Sequence, residues 1–303
     1  RRATAMTRQP GYPSHRGMVL VIVLWIITML AMMAGSFAYS MRVETRLATS
    51  AVERAQARAL IEAGVAYALA WQLDSQAQPQ WPPNGDVHEW AFGGGQMRIS
   101  VADAARRISL NNANPELLRQ TLLGIGMADA DADPAIAAIE DWRDPDDQTR
   151  PGGAESMEYS ALDRPGPPNA PFESVDELQQ ILGINREVAQ RLAEVATVET
   201  RISSINPSLA SFAGLRVVTG LDEQTITDYI NARAQAAREG LPPPPPPSSD
   251  NPTFFSGSQS GIYHVVVAAE TGTGTIVNAE AVVSSRNAPQ GQSVRWLSWR
   301  FDR

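Results

Sequence analysis

An apolar run near the N-terminus constrains this chain more than any other feature. No charged side chain occurs between Arg16 and Arg42. At about 1.5 Å of rise per residue, a helix of this length crosses the roughly 30 Å hydrocarbon layer of a bilayer. A helix also satisfies its own backbone polar groups, as lipid requires. The sequence therefore predicts one membrane helix followed by a region outside the bilayer.

The charges in front of this run predict its orientation. Residues 1–16 contain four arginines and no acidic residue. By the positive-inside rule, such a segment stays in the cytoplasm. We therefore expect a single-pass protein whose N-terminus is cytoplasmic and whose region after Arg42 is periplasmic.

The junction at Arg16-Gly17 indicates how the run is processed. The apolar run is longer than a secretory signal core and continues as helix past Arg42, so it is not a conventional signal peptide. A basic segment ending in Gly before a long apolar helix resembles the type IV prepilin leader. The resemblance implies cleavage by the prepilin peptidase between Gly17 and Met18, with methylation as an accompanying modification.

The fifth residue after this junction is Ile22, where prepilins usually carry Glu. That carboxylate pairs with the N-terminal amine of a neighbouring subunit, and unpaired in lipid it would cost about 2.5 kcal/mol or more. A subunit at the filament tip has no neighbour that supplies the amine. The departure resembles the K-type minor pseudopilins of the type II secretion system, which reside in the inner membrane.

The rest of the chain changes its periodicity several times. Helical spacing predicts helices over residues 116–123, 134–142, 175–182, 186–195, 207–214 and 223–239, with Asn114, Asp133, Ser174 and Asn206 as caps. Alternation predicts strands over 96–102, 262–269, 276–283 and 294–301. Residues 107–110 are expected to extend the first strand or pair with it.

These patterns predict an α+β fold. A long N-terminal helix packs on an antiparallel sheet, and a large all-α domain is inserted between strands, as the resemblance to K-type pseudopilins also implies. We expect a leader over residues 1–17, a transmembrane and periplasmic helix over 18–75, a first pilin-like part over 76–110, the helical insert over 111–240, a proline-rich linker over 241–252 and C-terminal strands over 253–303.

Five carboxylates lie within residues 141–155: Asp141, Asp144, Asp146, Asp147 and Glu155. Crowded like charges repel unless a cation neutralises them, and Ca²⁺ takes about six to eight oxygen ligands from flexible loops. The chain has no cysteine, which disfavours a soft transition-metal site. From these residues alone, a calcium site and a solvated acidic loop both remain open.

The segment also resembles a calcium-associated pattern of the K-type family, D-W-x-D-x-D followed by G-A-E and a Tyr. The resemblance implies a structural Ca²⁺ held directly by Asp144, Asp146 and Glu155, with Asp141 next and a backbone carbonyl of the loop. Tyr159 is expected to pack rather than to bind the ion.

No catalytic signature accompanies these features. The three histidines are far apart, no Gly-x-Ser-x-Gly motif occurs, and a chain without lysine has no phosphate-binding loop of the Walker type. Residues 172–192 resemble a helix-hairpin-helix, but acidic residues surround Gly183 and the net charge is -8, which disfavours nucleic acid. We expect neither an enzyme nor a protein with a small-molecule substrate.

The resemblance implies a minor pseudopilin at the tip of the type II secretion pseudopilus. It would initiate or cap assembly with minor pseudopilins of the I and J types, for export of folded proteins across the outer membrane. Two alternatives remain: a membrane-anchored helix-hairpin-helix protein for DNA binding or uptake, and a minor type IV pilin that primes pilus assembly.

Overall fold

The computed structural model describes residues 16–247 and 251–302. Most of the predicted leader therefore lies outside the described residues. The α-helices are α1 Arg16–Leu73, α2 Pro115–Gly124, α3 Asp129–Arg143, α4 Ser156–Ser160, α5 Arg186–Val195, α6 Phe212–Thr219 and α7 Glu223–Arg238. The strands are β1 Asn84–Phe92, β2 Gly95–Asp103, β3 Ile108–Ser109, β4 Ala196–Thr197, β5 Ile262–Glu270, β6 Ile276–Ser284 and β7 Arg295–Asp302.

The chain divides into two compact units, the first ending at Gln56 and the second beginning at Ala57. In the described part of the first unit, the N-terminal portion of α1 exposes its large apolar side chains, from Met18 to Tyr39 and beyond. Its length and apolar composition make it a candidate membrane span, as the sequence predicts.

The second unit contains a five-stranded antiparallel sheet in the order β1-β2-β5-β6-β7. The C-terminal part of α1 packs on this sheet through Leu60, Ile61 and Val65, which share one core with the strands. Gly64 permits the close approach, because a Cβ there would lie 2.9 Å from Cγ1 of Val267. This is the predicted arrangement of a long helix on an antiparallel sheet.

After β2 the chain leaves the sheet and forms the helical insert. It then returns to the sheet as β5, which pairs directly with β2. It has a core of its own, which includes Leu117, Leu122, Ile139 and Leu178. Each large aliphatic side chain buried in this way contributes about 1.5–3 kcal/mol. The predicted α+β class with a helical insert is therefore confirmed.

The prediction for residues 107–110 was wrong. Ile108 and Ser109 form β3, which pairs in parallel with Ala196 and Thr197 of β4 within the insert, and not with β2. A two-residue parallel bridge joins segments that are far apart in sequence, so no local sequence pattern predicts it. Strand β1 was not predicted, and it lies at the edge of the sheet with none of its residues buried.

The predicted helix over residues 207–214 was also displaced. Asn206 accepts a hydrogen bond from the amide of Ser208 at 3.0 Å, which makes a turn and not a cap. Helix α6 starts five residues later, where the Ser211 hydroxyl accepts from the amide of Gly214.

The start of α3 also differs from the predicted one. Helix α3 begins at Asp129 and carries Pro134 inside its first turns, so Asp133 is not its cap. Residues Val175–Gln180 form a 3-10 helix in place of a full α-helix, but Ser174 caps it as predicted, accepting from the amide of Asp176 at 3.1 Å. Asn114 likewise caps α2 as predicted, accepting from the amide of Leu117 at 2.8 Å.

Candidate metal site in the acidic loop

The acidic segment joins α3 to the short helix α4. Asp141 lies in the last turn of α3, Asp144 follows its end, and Glu155 immediately precedes α4. The end of α3 and the start of α4 therefore place Asp141 and Glu155, the first and last predicted ligands, at the two ends of one loop. Asp146 lies exposed in its middle, where its side chain accepts from the amide of Gln148 at 2.9 Å.

Arg150 neutralises the first part of this segment. Its Nη1 donates to Oδ1 of Asp141 at 2.7 Å and also to Asp144, and its Nε lies 3.3 Å from Glu140. The hydrogen bonds to Asp141 and Asp144 raise the pKa of Arg150 above its ordinary value. Asp141 is fully buried and also accepts from the backbone amide of Arg150. Sequence reasoning did not anticipate this internal counter-ion.

Glu155 is the exceptional residue of the segment. Its side chain is almost completely buried and faces the backbone amide of Glu158 in a capping box at the start of α4. Neither carboxylate oxygen reaches full hydrogen-bond geometry with a partner in the described structure. Burial, followed by the charges of Asp141, Asp144, Asp147 and Asp146, raises the pKa of Glu155 from 4.5 to about 7. An unpaired buried carboxylate is costly, which marks this position as one that favours a cation or a proton.

Asn169 is a second unpaired acceptor that the sequence did not single out. Its Nδ2 donates to the backbone oxygen of Asp146 at 2.7 Å, whereas its Oδ1 is buried without a partner, as is Oδ1 of Asp144. Its φ of 50° lies in the left-handed region, which asparagine tolerates better than most residues. The sequence offered one indication of this position, an Asn within a proline-rich loop, where a left-handed turn residue is common.

These oxygens do not form a preassembled metal centre. Within the described residues, no group of three or more His, Cys, Asp or Glu side chains is arranged to hold a metal ion. The donor set is nevertheless of hard oxygen type, the class that Ca²⁺ prefers. Three kinds of buried oxygen lack a partner: Oδ1 of Asp144, both carboxylate oxygens of Glu155 and Oδ1 of Asn169. They fit a cation better than Asp141 does, because Arg150 occupies both oxygens of Asp141 but only one oxygen of Asp144.

Two aromatic residues pack behind the loop. The rings of Trp142 and Tyr159 lie 5.9 Å apart, and both side chains are buried. The indole nitrogen of Trp142 donates to Glu177 at 2.9 Å, and the Tyr159 hydroxyl accepts from the amide of Leu182 at 3.0 Å. These contacts tie the loop to the segment that carries the predicted hairpin.

The hairpin itself turns at Gly183, whose φ is 82°. Arg191, one of its two basic residues, is held by Glu187 at 2.6 Å and donates to the backbone oxygen of Ile125. Its charge is therefore already paired within the protein. The other predicted site is the processing junction, and both Gly17 and Met18 lie within α1.

The long helix on an antiparallel sheet, interrupted by a helical insert between neighbouring strands, defines a pilin-like α+β protein. Residues 99–201, which begin in β2 and run through much of the insert, match the family model described as "Type II secretion system (T2SS), protein K". The match confirms the predicted resemblance to K-type minor pseudopilins.

A solved structure shows the same architecture. The chain is similar to one in the crystal structure of the GspK-GspI-GspJ complex from the enterotoxigenic Escherichia coli type 2 secretion system, with a TM-score of 0.53 and 14% identity. The similarity covers 87% of this chain and 99% of that chain. At this identity the likeness concerns the fold. None of the curated proteins compared with the chain matches it significantly.

Proposed function

We propose that the protein is a minor pseudopilin at the tip of the type II secretion pseudopilus, where it initiates or caps assembly with partners of the I and J types. The observation that carries the proposal is the match of residues 99–201 to the secretion-system K protein, within a pilin-like sheet and helix. The similar chain of known structure comes from a complex that contains GspI and GspJ, which supports the choice of partners.

The physical basis of the tip position lies in two features. Ile22 places an aliphatic side chain where a stacked subunit needs a carboxylate, so no ion pair forms with a neighbour above. The insert between β2 and β5 adds bulk to the pilin-like domain and would obstruct a subunit stacked on it. Both features suit a subunit that has neighbours below and none above.

The same proposal includes the membrane steps. The apolar part of α1 anchors the precursor in the inner membrane, with the basic N-terminus in the cytoplasm and the second unit in the periplasm. The prepilin peptidase then cuts between Gly17 and Met18, and the mature helix is extracted into the filament.

Co-purification tests the assembly. The full chain, extracted in detergent, is mixed with I-type and J-type pseudopilins from the same secretion system and analysed by size-exclusion chromatography with light scattering. We expect a complex that contains one copy of each subunit. Absence of any complex, at concentrations where I and J pair with each other, would overturn the tip assignment.

We further propose that the acidic loop binds one structural Ca²⁺. Asp144, Asp146, Glu155 and the Oδ1 of Asn169 would hold the ion, and Asp141 would remain paired with Arg150 or join as a further ligand. The support is the set of buried oxygens without partners at Asp144, Glu155 and Asn169. A divalent ion would neutralise the loop and order it, which is a structural and not a catalytic role.

Calorimetry on the detergent-solubilised chain tests the site with CaCl₂ and, for comparison, MgCl₂. We expect heat of binding with Ca²⁺, its loss in Glu155→Gln, and a roughly tenfold weaker affinity in Asn169→Gly, which keeps the left-handed backbone and removes the oxygen. Glu173→Gln, at an exposed carboxylate of the next segment, is the matched control. Equal binding by the wild type and Glu155→Gln would refute the proposed ligand set.

A further inference from the structure

The second unit contains a cavity of about 240 Å³ next to α7. Its walls include Pro79, Pro82 and Pro83 ahead of β1, together with Ala234 and Ala237 of α7. Among the described residues that line the cavity, Arg233 is the one charged side chain. The volume lies below the roughly 300–1,000 Å³ of pockets for drug-sized ligands. The cavity therefore suits a small molecule or ion.

The guanidinium of Arg233 is only partly satisfied by the protein. Its Nη1 donates to the backbone oxygen of Pro207 at 2.6 Å, and its Cζ lies 5.9 Å from the ring centroid of Tyr229. The described residues place no carboxylate in ion-pair contact with it. Burial lowers the pKa of Arg233, because a cation removed from water loses hydration.

A second arginine raises the positive potential at this place. Burial lowers the pKa of Arg106, and the charges of Arg107 and Arg233 lower it further. The charge of Asp86 raises the pKa of both Arg106 and Arg233, so these two guanidinium groups share the influence of one carboxylate. Half-buried cations with incomplete pairing, such as Arg106 and Arg233, favour an added anion.

The neutral polar groups of the walls are already engaged. Nδ2 of Asn206 donates to the backbone oxygen of Ser258 at 3.0 Å, and Nε2 of Gln78 donates to Oε1 of Gln259 at 2.9 Å. Recognition of a ligand therefore rests on Arg233 and on the apolar side chains. We propose that this cavity binds a small free carboxylate, whose oxygens pair with Arg233 and whose short apolar body lies against the prolines and alanines.

Saturation-transfer difference NMR on the detergent-solubilised full chain tests this site with propionate as the probe. n-Propanol, at equal concentration and ionic strength, is the uncharged comparison. We expect transfer to propionate, little transfer to propanol, and an affinity roughly tenfold lower or worse in Arg233→Met. Arg238→Met, an exposed position on the same helix that does not line the cavity, is the matched control and retains binding.

A second variant keeps the test decisive if Arg233→Met fails to fold. Ala237→Leu leaves Arg233 in place and fills part of the cavity with an additional side chain. We expect this variant to unfold at the temperature of the wild type and to lose transfer to propionate. Undiminished transfer in Ala237→Leu, equal transfer in Arg233→Met and Arg238→Met, or equal transfer to propanol and propionate would each overturn the proposal.

Discussion

Asp103 accepts hydrogen bonds from Ser260 twice, from its backbone amide at 2.9 Å and from its hydroxyl at 2.7 Å. The same buried carboxylate accepts from the amides of Ala105 at 2.7 Å and Gly261 at 3.0 Å. Asp103 ends β2, where the chain leaves the sheet, and Ser260 precedes β5, where it returns. One carboxylate therefore closes the base of the insert.

The first prediction concerns this closure. Asp103→Asn keeps the volume but turns one acceptor into a donor that faces other N–H donors. We expect the free energy of unfolding to fall by about 2–4 kcal/mol, measured by denaturant titration of the chain in detergent. Ser260→Ala, which removes only the hydroxyl, should cost roughly 1 kcal/mol. A loss in Asp103→Asn no larger than in Ser260→Ala would contradict the anchoring role.

The second prediction concerns the pH dependence of the acidic loop without calcium. The pKa of Glu155 is raised from 4.5 to about 7 by burial and by the neighbouring carboxylates. Between these values the folded state binds the proton and the unfolded state does not, so stability falls as the pH rises. We expect a decrease of up to roughly 3 kcal/mol between pH 4.5 and pH 7, measured with a chelator present.

Glu155→Gln provides the comparison for this trend, because its neutral amide does not titrate. We expect a flatter profile in this variant and the unaltered profile in the exposed control Glu173→Gln. Added Ca²⁺ should reverse the trend in the wild type, since the ionised carboxylate is the ligand. A wild-type profile that rises between pH 4.5 and pH 7 in chelator would count against the buried, unpaired state of Glu155.

The third prediction concerns a histidine between the insert and the sheet. Nε2 of His264 on β5 contacts Glu199 of the insert, and its Nδ1 lies 3.6 Å from Glu280 on β6. Burial and the charge of Arg107 lower the pKa of His264. The hydrogen bonds to Glu199 and Glu280, together with the charge of Glu199, outweigh these effects, so the pKa of His264 is raised overall. Glu280 also pairs with Arg300 at 3.3 Å.

Because this pKa is raised in the folded state, the contribution of His264 is complete below pH 6.5 and is lost as the pH rises through the folded value. Glu199→Gln should therefore lower the free energy of unfolding by roughly 1 kcal/mol at pH 6 and by less at pH 8. The same substitution in a His264→Gln background should show no pH dependence. Equal losses at both pH values in the wild-type background would exclude the charged pair.

The fourth prediction concerns the apolar part of α1, the candidate membrane span. Ile22→Glu introduces a carboxylate that has no partner above it in the proposed tip subunit, at a cost of about 2.5 kcal/mol or more in lipid. We expect less of the chain in the membrane fraction and fewer pseudopili, measured by fractionation and electron microscopy. Ile22→Val, which stays aliphatic, is the matched control. Normal assembly with Ile22→Glu would argue for a subunit above this one.

The fold class could be predicted because its signals are local. The apolar run, the helical spacing after Asn114 and the alternation in β2, β5 and β6 each follow from residues close in sequence. Strand β1 lacked such a signal, since none of its residues is buried and no apolar alternation marks it. The β3–β4 bridge joins Ile108 to Ala196, which only the folded insert brings together.

Only part of the candidate site could be predicted from the sequence. The crowding of Asp144, Asp146 and Glu155 is visible in one short segment. The sequence does not show which of these carboxylates is paired or buried. The pairing of Arg150 with Asp141, the burial of Glu155 and the approach of Asn169 depend on how the loop folds.

The sequence by itself determined the long apolar helix, the helical insert and the acidic composition of the loop, since periodicity, length and charge act over neighbouring residues. Only the tertiary structure decided which carboxylate is neutralised, which is left without a partner, and how Asp103 closes the base of the insert. Desolvation and hydrogen bonding set these outcomes, and both depend on groups that meet only when distant segments pack.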